Sequence, residues 1–434
     1  MSLGQPKILI FTVSSWNSKV GANTWATLVE QYDSENVANI SIRDEIPDSQ
    51  ICSRYFAISE NKVLKSIVNR KIKTGNELTF NAENDFAKED LEEHNQRYEK
   101  YRKKRPHCLL LAREVIWKLG KWKTKELDDF LDTFKPDIIL HSMEGYIHLN
   151  RIIEYAIKRT GAKAVGYVWD DNFTYKQSSS MGYKLYRYFQ RQSLKRLAKK
   201  TQRFFAITPK TKREADAFFG IDSIVLTKPL NAIPQAIEHN ALHYPIKLLY
   251  TGNLLIGRDR TLAALLDELK KIENIEQKVE MDIYTQTQLG ADELVVFNCA
   301  FCKVHSAISQ QEVLCKQKEA DVLLFLEDID GKNAKTARLS FSTKITDYLS
   351  SGKCIFAIGN ADLAPIEYFQ ENRAALVACN KVEIGENVKL LLQDKEILQE
   401  YAKNAMECGI KNHSPELIKQ KFENVIMEVY RNDL

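Results

Sequence analysis

The sequence predicts a two-domain α/β protein, each domain a mostly parallel sheet layered with helices. Three observations predict it. The chain has 434 residues, 44% of them hydrophobic, which is too long for one ordinary core. Short β-branched runs alternate with longer helical stretches, the pattern of parallel α/β architecture. A polar, proline-bearing segment from Lys228-Pro229 to Tyr244-Pro245 separates two such series.

The elements follow in order. Strands are expected at Lys7–Val13, Asn36–Arg43, Pro136–Leu140, Lys163–Trp169, Arg203–Ile207 and Ser223–Leu226. Residues 60–130 break this rhythm, with an acidic stretch at Glu83–Glu93 and a basic one at Tyr98–Arg105. They read as a solvated helical insertion in the first domain. The second series is expected at Lys247–Thr251, Val279–Thr285, Leu294–Phe297, Asp321–Leu326 and Cys354–Ile358. Leu417, Phe422, Ile426 and Val429 recur at near-helical spacing and predict a last helix from about Pro415 to Tyr430.

Composition excludes several classes. A net charge of +4 with 28% charged residues argues against a bulk nucleic-acid binder. No apolar run approaches the roughly 18 residues of a spanning helix. The N-terminus enters a strand at once, with no secretory signal, so a cytoplasmic protein is expected. Of the eight cysteines only Cys299 and Cys302 are close, and the second ligand pair of a zinc site is missing. Reduced cysteines are expected.

Five stretches carry the functional reading. In Tyr250–Arg260 a strand ends at Thr251, and Gly252 and Gly257 permit a sharp turn and close ligand approach beside Asn253. Arg258 then lies at a helix start, a suitable place for a diphosphate. In Ser340–Phe356, Ser342 and Thr343 can cap a helix whose first turn holds Lys344, a position unfavourable for a cation without an anion. Asp347 follows on the same face, and Gly352 ends the helix. The third stretch, Gly166–Phe173, places Trp169, Asp170 and Asp171 at the end of a parallel strand. Three roles remain open for it: lining a cleft, capping a helix or, least favoured by the alternation of strand side chains, holding a metal. The fourth is the first strand–helix loop with Ser15 and Gly21, joined by His141, Ser142, Glu144 and His148. Any one of these is more ordinarily structural. The fifth runs from Asp171 to Glu214 with twelve Lys or Arg and no acid between them. Lys184, Arg187, Arg191, Lys195 and Lys199 form one helical ridge and Tyr186, Phe189 and Leu197 another, an arrangement suited to an anionic membrane surface.

The Ser340–Phe356 stretch resembles the nucleotide-binding motif of GT-B glycosyltransferases, especially retaining, family-four-like enzymes of polysaccharide assembly. A version of that motif reads Ser-x-Lys-x-x-Glu-Tyr-Leu-x-x-Gly-Lys-Pro, and Lys344, Asp347, Tyr348, Leu349, Gly352 and Lys353 match it in register. Gly252 and Arg258 resemble the turn and basic residue that grip the donor diphosphate, and Ala206–Pro209, Phe219-Gly220 and Lys228-Pro229 resemble the family's domain boundary. The chain departs from the pattern at Leu339, where many relatives carry a glutamate that reaches the transferred sugar, and at Cys354, where proline is common.

The resemblance implies two Rossmann-like domains facing across a cleft. Residues 1–232 would form the acceptor side, residues 245–414 the nucleotide-sugar side, and 415–434 would pack back on the first. It implies transfer of a sugar from a nucleotide-sugar donor to a glycan or lipid-linked acceptor, with retention. Arg258 and Lys344 would be catalytic, and Gly252, Asn253, Ser342, Thr343 and Asp347 would bind donor. Ser15, Gly21, Glu144, Trp169, Asp170 and Asp171 would line the acceptor side. No metal or other cofactor and no nucleic acid is expected. A sugar-nucleotide epimerase and a non-catalytic binding subunit on the same scaffold are the alternatives.

Overall fold

In the computed structural model, residues 4–16, 24–43, 45–78, 107–231, 244–331 and 333–431 are described. By its internal contacts the chain forms two compact units. The first comprises Met1–Ile207, Lys212–Leu226 and Lys419–Leu434, and the second Thr208–Thr211 and Thr227–Ile418.

Among the described residues the first unit holds an eight-stranded sheet. Its strands are β1 (Ile8–Thr12), β2 (Val37–Ser41), β3 (Arg54–Ile58), β4 (Gly75–Leu78), β5 (Ile138–Ser142), β6 (Lys163–Val168), β7 (Arg203–Ala206) and β8 (Ile224–Val225). They lie in the order β4-β3-β2-β1-β5-β6-β7-β8. All pairs are parallel except β3–β4, where Tyr55 faces Leu78 in an antiparallel edge. β1 and β5 are buried at every position, as strands covered on both faces must be. The helix Lys125–Phe134 shows the local logic. Thr124 Oγ1 accepts from Leu127 N at 3.3 Å, and Leu127, Phe130, Leu131 and Phe134 bury one stripe. From Lys419 onward the last helix, Pro415–Arg431, belongs to this unit. There Phe422 is fully buried, 6.5 Å from the Tyr32 ring and 5.8 Å from that of Phe205.

Among the described residues the second unit holds six parallel strands: β9 (Ile246–Thr251), β10 (Val279–Thr285), β11 (Cys302–Ser306), β12 (Val322–Leu326), β13 (Cys354–Ile358) and β14 (Leu376–Ala378). Their order is β11-β10-β9-β12-β13-β14. Alternate residues feed two cores. Val322, Leu324 and Leu326 pack with Leu262, Leu265 and Leu266, while Leu323 and Phe325 pack with Ile345, Leu349 and Phe369. That explains why β12 reads as an unbroken apolar run. Both sheets are Rossmann-like, because the first strand of each has the next strand on one side and a later crossover strand on the other.

Two expectations need correction. Leu294–Phe297 is not a strand but the end of the helix Ala291–Phe297. Glu293 Oε2 accepts from Gly290 N at 2.8 Å and starts that helix, so a local cap overrides the β-branched composition. The strand here is β11, whose polar sequence hid it, since only Cys302 is buried. The stretch 60–130 is not simply a helical insertion. It contributes β4 to the sheet and the helix His107–Leu119, where Trp117 is fully buried. The charged segments at 83–93 and 98–105 lie outside the described residues.

Candidate functional site

In an open parallel sheet, ligands bind beyond the carboxyl ends of the strands at the point where strand order reverses. In the second unit that point lies between β9 and β12, and the donor residues expected from the sequence meet there. Gly252 follows β9 with φ +144°, and its N–H donates to Tyr284 O at 2.9 Å. A Cβ on Gly252 would stand 1.9 Å from Lys344 Nζ. Only glycine lets the lysine lie against this turn. Gly257 has φ +87°, and a Cβ there would meet the Asp328 carboxylate at 2.5 Å.

Arg258, first residue of the helix Arg258–Leu269, is held on three sides. Nη2 donates to Glu327 Oε1 at 2.8 Å and Oε2 at 3.0 Å, Nη1 to Asn253 Oδ1 at 2.7 Å and Nε to Leu326 O at 3.1 Å. Burial works against its charge, but Glu327 raises its pKa above the usual arginine value. Lys344 differs. Its ammonium lies 5.0 Å from the centre of the Tyr250 ring. Among the described residues it has no hydrogen-bond acceptor within the protein. Burial first, then the neighbouring Arg258, brings its pKa down to about 8, with Glu327 pulling the other way. The two cations that look alike in the sequence are therefore one clamped guanidinium and one uncompensated ammonium.

Asp347 lies one turn beyond Lys344 and accepts from Asn231 Nδ2 at 2.7 Å. Burial raises its pKa against the opposing pull of Lys228 and Asn231. Ser342 and Thr343 do not cap as expected. Thr343 has helical backbone angles and makes no side-chain cap bond, and Ser342 Oγ takes only a long bond of 3.4 Å from Lys344 N. Leu339 is fully buried. Sequence reasoning missed Glu327. Its signal was an acid that closes an apolar strand at the carboxyl edge, the place where ligands bind.

In the first unit the expected residues separate. Gly21 lies outside the described residues. Ser15 is buried and donates to Glu45 O at 2.7 Å, so its hydroxyl serves the loop. Asp171 is also buried and accepts from Thr174 N at 2.9 Å and Thr174 Oγ1 at 2.5 Å, which makes it a turn-forming residue. His141 is fully buried beside Thr201 Oγ1 at 3.0 Å, and burial lowers its pKa to about 4. His148 bonds Glu114 Oε1 at 2.9 Å and stacks on Trp117 at 4.5 Å. Glu144, Trp169 and Asp170 stay together beyond β5 and β6. Ser142 Oγ donates to Glu144 Oε1 at 3.1 Å. Burial, then the charge of Asp170, brings the Glu144 pKa up to about 7, opposed by Ser142, Trp169 and Arg43. Trp169 lies 5.9 Å from the Trp25 ring and 5.0 Å from that of Tyr167.

The basic ridge is not the free surface the sequence suggested. In the helix Met181–Ala198, Arg187 is buried and donates to Tyr183 OH at 3.1 Å and Gln177 Oε1 at 2.6 Å. Arg191 donates to Phe173 O and lies 4.2 Å over the Phe218 ring. Its exposed residues include Met181, Leu185, Tyr188 and Phe189, with Lys184, Lys195 and Arg196. No described helix is long and apolar enough to cross a membrane.

No protein-family model matches this sequence, and no curated relative does. Solved structures match nearly end to end. The Anabaena protein Alr3699/HepE, solved with UDP and glucose, superposes with a TM-score of 0.60 at 10% identity, over 98% of this chain and 100% of that one. The fold is GT-B. A sucrose-phosphate synthase from Thermosynechococcus elongatus shares it at 11% identity and a TM-score of 0.59, over 99% of this chain and 100% of that one. So does an alpha,alpha-trehalose 6-phosphate synthase from Burkholderia multivorans, at 9% identity and 0.57, over 99% and 98%. The Lys344 and Arg258 group lies on the second Rossmann-like unit of this GT-B chain, and the Glu144 group on the first.

Proposed function

We propose that the protein is a glycosyltransferase that moves a sugar from a nucleotide-sugar donor to a glycan or lipid-linked acceptor, with retention. The observation that carries this is Lys344: a half-buried ammonium with no acceptor among the described residues, seated on a side-chain-free turn at the switch point of a parallel sheet. Such a cation is stabilised by an anion, and a diphosphate matches its position beside Arg258. The nucleotide bound to a GT-B neighbour supports the same reading. Lys344, with the remaining donor capacity of Arg258, would stabilise charge on the departing diphosphate. Asp347 would accept from ribose hydroxyls. Glu144 and Asp170, with Trp169, would orient hydroxyls of the acceptor.

The cations do the electrostatic work of a metal in this proposal, so chelator leaves transfer unchanged. A strict Mg²⁺ or Mn²⁺ requirement would sink it. The deciding experiment is a thermal-shift screen against nucleotides and nucleotide sugars, followed by a transfer assay with those that stabilise. Stabilisation by none of them overturns the donor reading. Leu339 favours a second reading, a nucleotide-binding subunit without transfer, because this buried leucine supplies no carboxylate to the sugar. Tight nucleotide-sugar binding with neither transfer nor hydrolysis would select it.

A further inference from the structure

We propose that Glu327 is a positioning residue of the diphosphate site, fixing the Arg258 guanidinium and setting the charge under which Lys344 meets the phosphates. This rests on the reading of that site as a diphosphate site. Glu327 is the first residue past β12 and only 6% exposed. Its backbone is tied down twice: its N–H donates to Ile358 O at 2.8 Å, and its carbonyl accepts from Thr261 Oγ1 at 2.7 Å. A carboxylate anchored in this way does not follow Arg258. Arg258 is held by it.

Two cations side by side repel, and burial strengthens the repulsion. Arg258 and Lys344 are such a pair, from a helix start after β9 and a helix start before β13. Glu327 enters from β12 and grips Arg258 through both oxygens, so among these three groups one positive charge, that of Lys344, is left over. That excess attracts a phosphate anion, while the guanidinium is already oriented. Among the described residues the Lys344 ammonium also faces the Tyr250 ring from β9, while Asp347 on its own helix is bonded to Asn231 and drawn on by Lys228. Glu327 is therefore the acid whose removal changes both Arg258 and the ammonium. An uncharged residue at 327 frees the guanidinium and lets Lys344 lose its proton at lower pH.

The test is calorimetric titration of UDP and of inorganic pyrophosphate, between pH 6 and 9.5, into the wild type and Glu327→Gln. Wild-type affinity should fall as pH rises through the region of 8. In Glu327→Gln affinity near pH 8 should drop about tenfold or more, because Lys344 there has lost its proton and with it one charge-assisted bond to phosphate. Its pH fall-off should also begin at clearly lower pH. A uniform loss with an unchanged pH profile overturns the inference, because a merely structural role predicts that. Unchanged affinity and profile overturn it as well. A wild type that binds neither probe overturns the diphosphate site itself. The double variant Arg258→Ala/Glu327→Gln removes the ion pair as a pair and leaves no lone buried charge. It should bind no more weakly than Arg258→Ala alone, and additive losses overturn the coupling.

Discussion

At the carboxyl edge of β9 and β12 the gathered side chains are Asn253, Arg258 paired with Glu327, Arg260 paired with Asp328, and Lys344, whose charge is left over. At the matching edge of β5 and β6 they are Glu144, Asp170, Ser142 and Trp169, with a single guanidinium, Arg43, within electrostatic reach. The two sheets share their strand logic and differ in sign of charge. Topology thus decides where a ligand can bind, and a few loop residues decide what charge it carries. The cationic edge suits a diphosphate. The carboxylate edge suits a polyhydroxylated neutral ligand, whose hydroxyls donate to acids.

The largest expected effect separates the two cations of the second unit. Arg258→Ala leaves Glu327 buried and unpaired, and should destabilise that unit by about 3 kcal/mol in urea titration. Lys344→Ala removes an uncompensated charge, so stability should hold or rise near pH 7 while UDP affinity falls about ten- to a hundredfold. The sign follows from linkage. Folding lowers the Lys344 pKa to about 8, so between 8 and the usual lysine value the unfolded chain holds a proton the native one has lost. Stability therefore rises with pH across that window, whereas anion affinity declines. Equal loss of stability in both variants would erase the distinction.

Gly252→Ala should come next. Its Cβ would collide with the Lys344 ammonium and would sit on a strained φ of +144°. About 1–2 kcal/mol of stability should be lost, together with roughly tenfold in UDP affinity as the lysine is displaced. Wild-type affinity in this variant would mean that Lys344 grips the ligand from another position.

A smaller effect probes the acidic edge. Glu144 titrates near 7 in the native state, above the usual carboxylate value, so the native state holds a proton the unfolded state has released. Stability contributed there declines as pH rises from about 4.5 to 7. Glu144→Gln should gain on the order of 1–2 kcal/mol over wild type at pH 8 and nothing at pH 4. A gain independent of pH would show that the carboxyl is not buried against Asp170.

The smallest effect concerns the membrane. Exposed Met181, Leu185, Tyr188 and Phe189 beside Lys184 and Lys195 predict weak, salt-sensitive sedimentation with anionic vesicles. Lys184→Glu/Lys195→Glu should abolish it. Arg187 is no probe of it, because that side chain is buried and its reversal attacks the fold. Equal binding to neutral vesicles would leave the charges without a part in it.

Much of this was legible in the sequence where the signal is local. Both faces of β12 and β13 are covered, so each reads as a continuous apolar run, and the strands alternate with helices in the order of a parallel sheet. Lys344, Asp347, Tyr348 and Gly352 stood in a recognisable register. What failed lay where local composition pointed one way and context another. Leu294–Phe297 has strand residues on a capped helix, and β11 has polar residues on a sheet edge.

The sequence by itself determined the two α/β halves and the two stretches that hold Arg258 and Lys344. Periodicity and motif register survive in one dimension, because they are set by neighbours a few residues apart. Only the tertiary structure decided which cation is free. Glu327 lies 69 residues from Arg258 along the chain and bonds it through both oxygens. Asp171 likewise proved to be engaged within its own loop, Ser15 to be bonded to the loop after β2, and Arg187 to be turned inward. Charge and hydroxyl content are written in the sequence, but whether a group is already satisfied depends on partners that only folding brings within about 3 Å.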